Sequence, residues 1–190
     1  QVDWTTFGLL ATEYETALKN YLLIGGMPEA VATFADTNAL SEVRAKQLAI
    51  LSDYDDDFKK HAPIDLLGKI RVLWNNLPAQ LAKENKKFIY TALRPGARAR
   101  EYETALQWLD DAGMLRQIYR VSPPRLPIKS YRDLSAFKLY VHDVGLLAAM
   151  SALPIRTVLD GNALFTNFKG ALTEQFVLCE LSAAGFEPAY

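Results

Sequence analysis

The sequence predicts a mostly helical α+β chain, and three observations carry that prediction. Apolar residues recur at three- and four-residue steps through the first third and again near the end. Two short segments, 115–121 and 137–142, alternate as strands do. Half of the 190 residues are hydrophobic and 23% are charged, a balance that supplies a sizeable core and still wets the surface.

In chain order, Leu10, Tyr14, Ala17, Leu18, Tyr21 and Leu22 build the apolar face of a first helix, which Gly25-Gly26 ends. Pro28 suits the first turn of a short helix over Glu29–Phe34, because its missing N–H would be unpaired there anyway. A longer helix runs from Leu40 to His61 with Val43, Leu48, Ile50, Leu51, Tyr54 and Phe58 inward, and Pro63 stops it. The pattern returns from Ile64 to Trp74, and Pro78 opens a further turn through Leu81. Lys86 to Tyr90 is a short element, and Arg94-Pro95-Gly96 breaks the chain. An amphipathic helix over 97–111 places Tyr102, Ala105, Leu106 and Leu109 on one face and Arg100, Thr104, Gln107 and Asp111 on the other.

Strands over 115–121 and 137–142 flank a proline- and arginine-rich hairpin, Ser122–Ser135. In the second strand Phe137, Leu139 and Val141 alternate with Lys138, Tyr140 and His142. Helix, short element, helix, strand, hairpin, strand is the order of a winged helix. Asp143 caps a helix through Leu146, Leu147 and Met150. A loop at Asp160-Gly161-Asn162 precedes a helix from Lys169 to Ala184, and 186–190 opens a strand with no partner in view. The organisation expected is a helical bundle over 1–77, a winged-helix-like module over 78–142, and a linker helix with the start of a truncated α/β unit over 143–190. The chain opens without Met and is read as an interior piece of a longer protein.

The net charge of −1 conceals a segregation. Residues 78–141 hold 12 basic against 6 acidic side chains, whereas both flanks are acidic. Such a basic centre points to a polyanion or an acidic protein surface as partner. The longest apolar stretch, near 21–27, is far too short to span a bilayer, so no membrane is expected. A single cysteine, Cys179, fits a packed thiol in a reducing, cytoplasmic compartment.

Several chemistries lack their residues. No Gly-x-x-x-x-Gly-Lys-Ser/Thr loop exists to cradle nucleotide phosphates. One Cys and two His do not make a zinc site, and neither His61 nor His142 has a Gly-framed serine nearby. His142-Asp143 reads as a strand-end histidine followed by a helix cap. Asp53, Asp56 and Asp57 share one side of a helix and could hold a divalent ion, but Lys59 and Lys60 follow at once, so the run reads as a solvated face. No metal, no cofactor and no catalytic residue is therefore expected in this chain. The site expected is a DNA-contacting one. Arg100, Thr104 and Gln107 project from the central helix, Lys86, Lys87, Arg94 and Arg98 precede it, and Arg116, Arg120, Arg125, Lys129 and Arg132 line the hairpin. Glu101, Glu103, Asp110 and Asp111 oppose it, and the same basic surface could instead dock on a protein.

Long strings in this chain resemble predicted bacterial and archaeal AAA-type ATPases that carry a C-terminal domain of unknown function. They are Tyr21-Leu22-Leu23-Ile24-Gly25-Gly26-Met27-Pro28-Glu29-Ala30-Val31, Asp57-Phe58-x-Lys60-His61-Ala62 and the run from Gln80 to Tyr90. Gly96 to Leu109, Leu139-Tyr140-x-x-Asp143-Val144-Gly145-Leu146-Leu147 and Lys169-Gly170-Ala171-x-Thr173-Glu174-Gln175-Phe176-Val177 complete the likeness. The resemblance implies an ATPase module holding ATP and Mg before Gln1, and a nuclease-like fold whose first helix carries Glu174. With the basic centre read from the residues, the partners expected are duplex DNA, those flanking modules and further copies of the chain. The function expected is DNA contact and interdomain coupling by a non-catalytic region, with a protein-docking module as the alternative.

Overall fold

The structure, a computed structural model, describes residues 4–83, 87–160 and 163–190. It is mostly helical, with one two-stranded antiparallel sheet. The elements run α1 (Trp4–Ile24), α2 (Pro28–Thr37), α3 (Leu40–His61), α4 (Ile64–Ala82), α5 (Ala99–Asp111), β1 (Leu115–Val121), β2 (Arg132–Val141), α6 (Val144–Met150), α7 (Ile155–Asp160) and α8 (Ala163–Ala183). Short 3-10 turns occupy Tyr90–Ala92 and Ile128–Tyr131.

Local chemistry fixes most boundaries. Pro28 opens α2, and Asn38 closes it at φ 51°, where its N–H returns to the Phe34 carbonyl. In α3, Glu42 in the first turn and Lys59, Lys60 and His61 in the last complement the helix dipole. Ala62 is extended, as the residue before Pro63 must be. Two expectations need correction here. The helix after Pro63 does not stop at Trp74 but runs through Pro78 to Ala82, because Leu73, Trp74, Leu77 and Gln80 continue one buried face. Proline removes one hydrogen bond, and burial along that face outweighs the loss. Leu48, read as inward, is 52% exposed, and Tyr14 and Leu18 on the first helix are exposed too.

One apolar cluster draws on residues from 22 to 172. Its centre is α6, in which every residue from Val144 to Ala149 is buried between α1, α3 and α8. On α5 the buried set is Tyr102, Ala105, Leu106 and Leu109, the face that helical spacing picks out. The sheet is buried on both sides, a departure from the alternation in the sequence. Phe137, Leu139 and Val141 enter the main core, while Tyr140 and Ile118 pack on Leu178 of α8.

Three buried glutamines lock helices to neighbouring backbone. Gln47 donates to the carbonyls of Leu23 (2.8 Å) and Ile24 (3.0 Å). Gln80 donates to the Ile89 carbonyl (2.8 Å) and accepts from its N–H (3.3 Å). Gln175 accepts from the Val141 N–H (3.1 Å) and donates to its carbonyl. Each pairs peptide groups that would otherwise be buried unpaired at considerable cost.

The 186–190 segment does have a partner, contrary to the expectation from sequence. The Val121 N–H donates to the Tyr190 carbonyl (2.8 Å) and the Tyr190 N–H to that of Tyr119 (3.3 Å), so this segment lies along β1.

Candidate nucleic-acid interface

Gln80 and β2 together fix how the basic region begins. With Ile89 clamped by Gln80, the Phe88 N–H reaches the Phe137 carbonyl at 2.6 Å, and the chain passes along β2 before the 3-10 turn leads into α5. Phe88 stacks on Phe137 at 5.8 Å, with Tyr90 and Tyr119 edge-on to Phe137. α5 packs chiefly on α4 and meets the hairpin through β1, next to this aromatic surface. Its apolar face is fully used in packing, and Arg100, Thr104, Gln107 and Asp111 face solvent together.

Ion pairing divides the predicted cations into two groups. Arg94 is held by Glu101 at 2.5 Å, Arg120 by Asp133 at 2.5 Å, and Lys129 and Arg132 by the carboxylate of Glu187 at 2.7 and 3.6 Å. Arg132 and Arg94 also stand over the rings of Tyr119 and Tyr102, each 5.9 Å from the centroid. Gln107 donates to Asp111 (2.8 Å), which occupies one of its amide hydrogens. Among the described residues no ion pair holds Lys87, Arg98, Arg100, Arg116 or Arg125, and all five are exposed. Lys86 lies outside the described residues. Thr104 is exposed.

The acidic residues near this surface differ in the same way. Ser135, through its hydroxyl and its N–H, and then Arg120 hold the Asp133 carboxyl down at about 2. Burial, reinforced by Asp111, pushes Asp110 above the usual carboxylate range. Glu103 carries no ion pair among the described residues.

Between Tyr119 and Arg120 the strand register shifts. Tyr119 pairs with Phe137, but Arg120 pairs with Asp133, so Leu134, Ser135 and Ala136 form a bulge in β2 with no partner on β1. A cavity of about 540 Å³ opens beneath the bulge, bounded by Phe88, Tyr90, Glu103, Gln107, Gln117 and Tyr119. The sequence reading missed it, although a strand that alternates only from Phe137 onward is the trace of a bulge before it.

Glu174, the predicted nuclease-like carboxylate, is bound by its neighbours. Lys138 Nζ lies 2.8 and 3.0 Å from its two oxygens, and the Tyr140 hydroxyl donates at 2.8 Å. Burial works to raise this carboxyl, but the Lys138 and Tyr140 hydrogen bonds outweigh it and hold it below the usual range. It sits on the wall of an apolar groove of about 650 Å³ between β2, α8 and the 186–190 segment. Of the aspartate run, Asp56 pairs with Lys59 (2.7 Å) and Asp57 with Lys60 (3.7 Å), while Asp55 receives two hydrogen bonds from Arg71 at 2.8 and 2.6 Å. No cluster of His, Cys, Asp and Glu that could hold a metal ion occurs among the described residues. Burial pushes the Cys179 thiol up, away from thiolate chemistry.

The sequence identifies Asp143 as a helix cap, and the structure adds a second role. Its carboxylate, 6% exposed, accepts from the Leu146 N–H (2.7 Å) and from the Gly26 N–H (2.6 Å). Gly25 sits at φ +72° directly against it, and Gly145 lies against the Ile24 carbonyl and Gln47. Two of the glycine-bearing strings of the sequence, Tyr21–Val31 and Leu139–Leu147, thus meet at one buried carboxylate. Next to it, His142 bridges Tyr54 (3.3 Å) and the Met114 carbonyl (3.1 Å).

Among the described residues no helix is long and apolar enough to cross a membrane. No curated protein and no solved structure gives a significant match to the chain. A family model does match, over residues 15–157, which takes in α2 to α6, the hairpin and the Gly25–Asp143 contact, and the chain belongs to that family, described as a domain of unknown function, DUF8612.

Proposed function

We propose that this chain is the DNA-contacting and interdomain-coupling part of a cytoplasmic AAA-type ATP-binding protein. One observation carries the reading: five exposed cations without ion pairs, Lys87, Arg98, Arg100, Arg116 and Arg125, accompany one helix and the hairpin that follows it. A helix presented beside a two-stranded hairpin is the geometry with which winged-helix proteins meet a duplex, and phosphate contacts supply most of the affinity. The long resemblance to AAA-type ATPases supports the wider setting. The reading places ATP and Mg in the flanking ATPase module. In this chain the Gly25–Gly26 turn is closed by the Asp143 carboxylate, which would repel a phosphate, so no nucleotide step is assigned to these residues.

A second reading has its own observation. Leu126 (85% exposed), Leu134 (73%) and Ile128 (40%) project from the hairpin, and apolar side chains clustered there favour a protein partner. Duplex titration across salt concentrations separates the two. DNA contact through three or four of the unpaired cations gives a log–log slope of about −3 to −4. Arg125→Ala and Arg100→Ala each flatten it by about one unit, whereas Arg120→Ala, already neutralised by Asp133, changes it less. A folded chain that fails to bind duplex at about 50 mM salt, where phosphate contacts are strong, rejects DNA in favour of the docking reading.

A further inference from the structure

The geometry points to the cavity beneath the β2 bulge as a nucleobase site, with guanine its preferred occupant. This deepens the proposed DNA contact and rests on it for the strand that would deliver the base. At about 540 Å³ the cavity falls within the range of about 300–1,000 Å³ typical of small-molecule sites. Its walls are the half-buried rings of Tyr90 and Tyr119 with the Phe88–Phe137 stack behind them, a surface suited to a flat aromatic ligand. Leu134 and Ser135, left without partners on β1 by the register shift, complete its lining. Bulges of this kind recur beside functional sites.

The polar groups on the wall are selective. Glu103 lines the cavity, and among the described residues neither ion pair nor hydrogen bond engages it. After burial, its negative charge is the largest influence lifting the Tyr90 hydroxyl, which stands at about 12. A carboxylate has no use on a phosphate-binding face, since it repels the backbone. As a reader of bases it has one: it only accepts hydrogen bonds, and a ligand must bring donors to it. Guanine alone among the common bases offers two adjacent donors, its ring N–H and its exocyclic amino group, to one carboxylate. Gln117 accepts from the Tyr119 hydroxyl through Oε1 at 2.5 Å, which leaves its amide hydrogens for the guanine carbonyl. Lys87 lines the same cavity, and Arg100 lies one helical turn from Glu103, so unpaired cations stand ready for the attached phosphates.

The test uses the full chain and labelled oligothymidylates of about eight residues, with or without one central guanine, followed by anisotropy. GMP and TMP serve as free competitors. The guanine strand should bind about ten-fold tighter, and Glu103→Gln, an exposed substitution, should cut the difference to about two-fold without altering the salt slope. If GMP competes as well as the strand does, the base is taken from free nucleotide. If only the strand is bound, it comes from nucleic acid; either result supports the site. Duplex binding with a normal salt slope but no guanine preference would overturn the site and leave the DNA reading standing. A guanine preference in a chain that ignores duplex would do the reverse. Equal or absent binding of all these probes by a folded chain also refutes the site.

Discussion

Replacing Gly25 by alanine tests the contact that joins the beginning of the chain to its centre. Two costs add. At φ +72° an L-residue pays about 1–2 kcal/mol relative to glycine. The new methyl would also lie 2.6 Å from Oδ2 and 2.7 Å from Cγ of Asp143, and closer still to Oδ1, so the buried carboxylate has to leave its place. Its departure uncaps α6, at about 1 kcal/mol. It also strands the Gly26 N–H, a charge-assisted bond worth about 1.5–3 kcal/mol. The sum is about 4–6 kcal/mol, a large part of the roughly 5–15 kcal/mol that holds a domain folded. Gly113 supplies the control, because it sits at φ +69° with nothing within 4 Å of the place an alanine methyl would take. Gly113→Ala should cost only the backbone share. Urea titration with an unchanged m-value reads both. In an Asp143→Ala background Gly25→Ala should fall back to about the Gly113 value, since nothing is left to displace. Equal costs for Gly25→Ala and Gly113→Ala in the native background would refute the reasoning.

Acid should loosen the hairpin through Asp133. Its folded value of about 2 lies below its ordinary 3.8, so its contribution is complete above pH 3.8 and disappears as pH falls towards about 2; the melting difference between native chain and Asp133→Asn should close over that window. Glu187→Gln releases Lys129 and Arg132 together, and should raise duplex affinity while steepening the salt slope by up to about two units; an unchanged slope would show that these cations do not face the polyanion.

The helices were legible because their signals are local. Pro28, Pro63, Gly113 and Asp143 each act within one turn of themselves, and the apolar stripe of α5 needs only its own spacing. What escaped was set by distant residues. Pro78 looks like a helix start until the burial of Leu77 and Gln80 is known. Tyr140 reads as the wet side of a strand until α8 covers it. Gln47, Gln80 and Gln175 give no sign in composition that they are buried, although a glutamine in an otherwise apolar stripe is a usable clue. The cation count over residues 78–141 stands, but a count does not see pairing. Glu187 neutralises two arms of the hairpin from 55 or more residues away, and this changes which arginines are worth mutating.

The end of β2 supports the coupling half of the proposed function. His142 and Asp143 continue directly from that strand, so any displacement of the hairpin by a bound strand reaches them with no flexible linker between. His142 would carry it to Tyr54 on α3, and Asp143 to the Gly25–Gly26 turn between α1 and α2. The junction is closely packed: Gln47 bonds both Leu23 and Ile24, and Gly145 lies against the Ile24 carbonyl. On the proposed function, the α1–α2 turn is expected to move with the hairpin through these hydrogen bonds. A substitution such as Asp143→Ala, which cuts this link, should leave the exposed cations in place and still uncouple them from α1. The proposed function therefore expects DNA affinity to respond to Arg100 and Arg125, and communication along the chain to respond separately to Asp143.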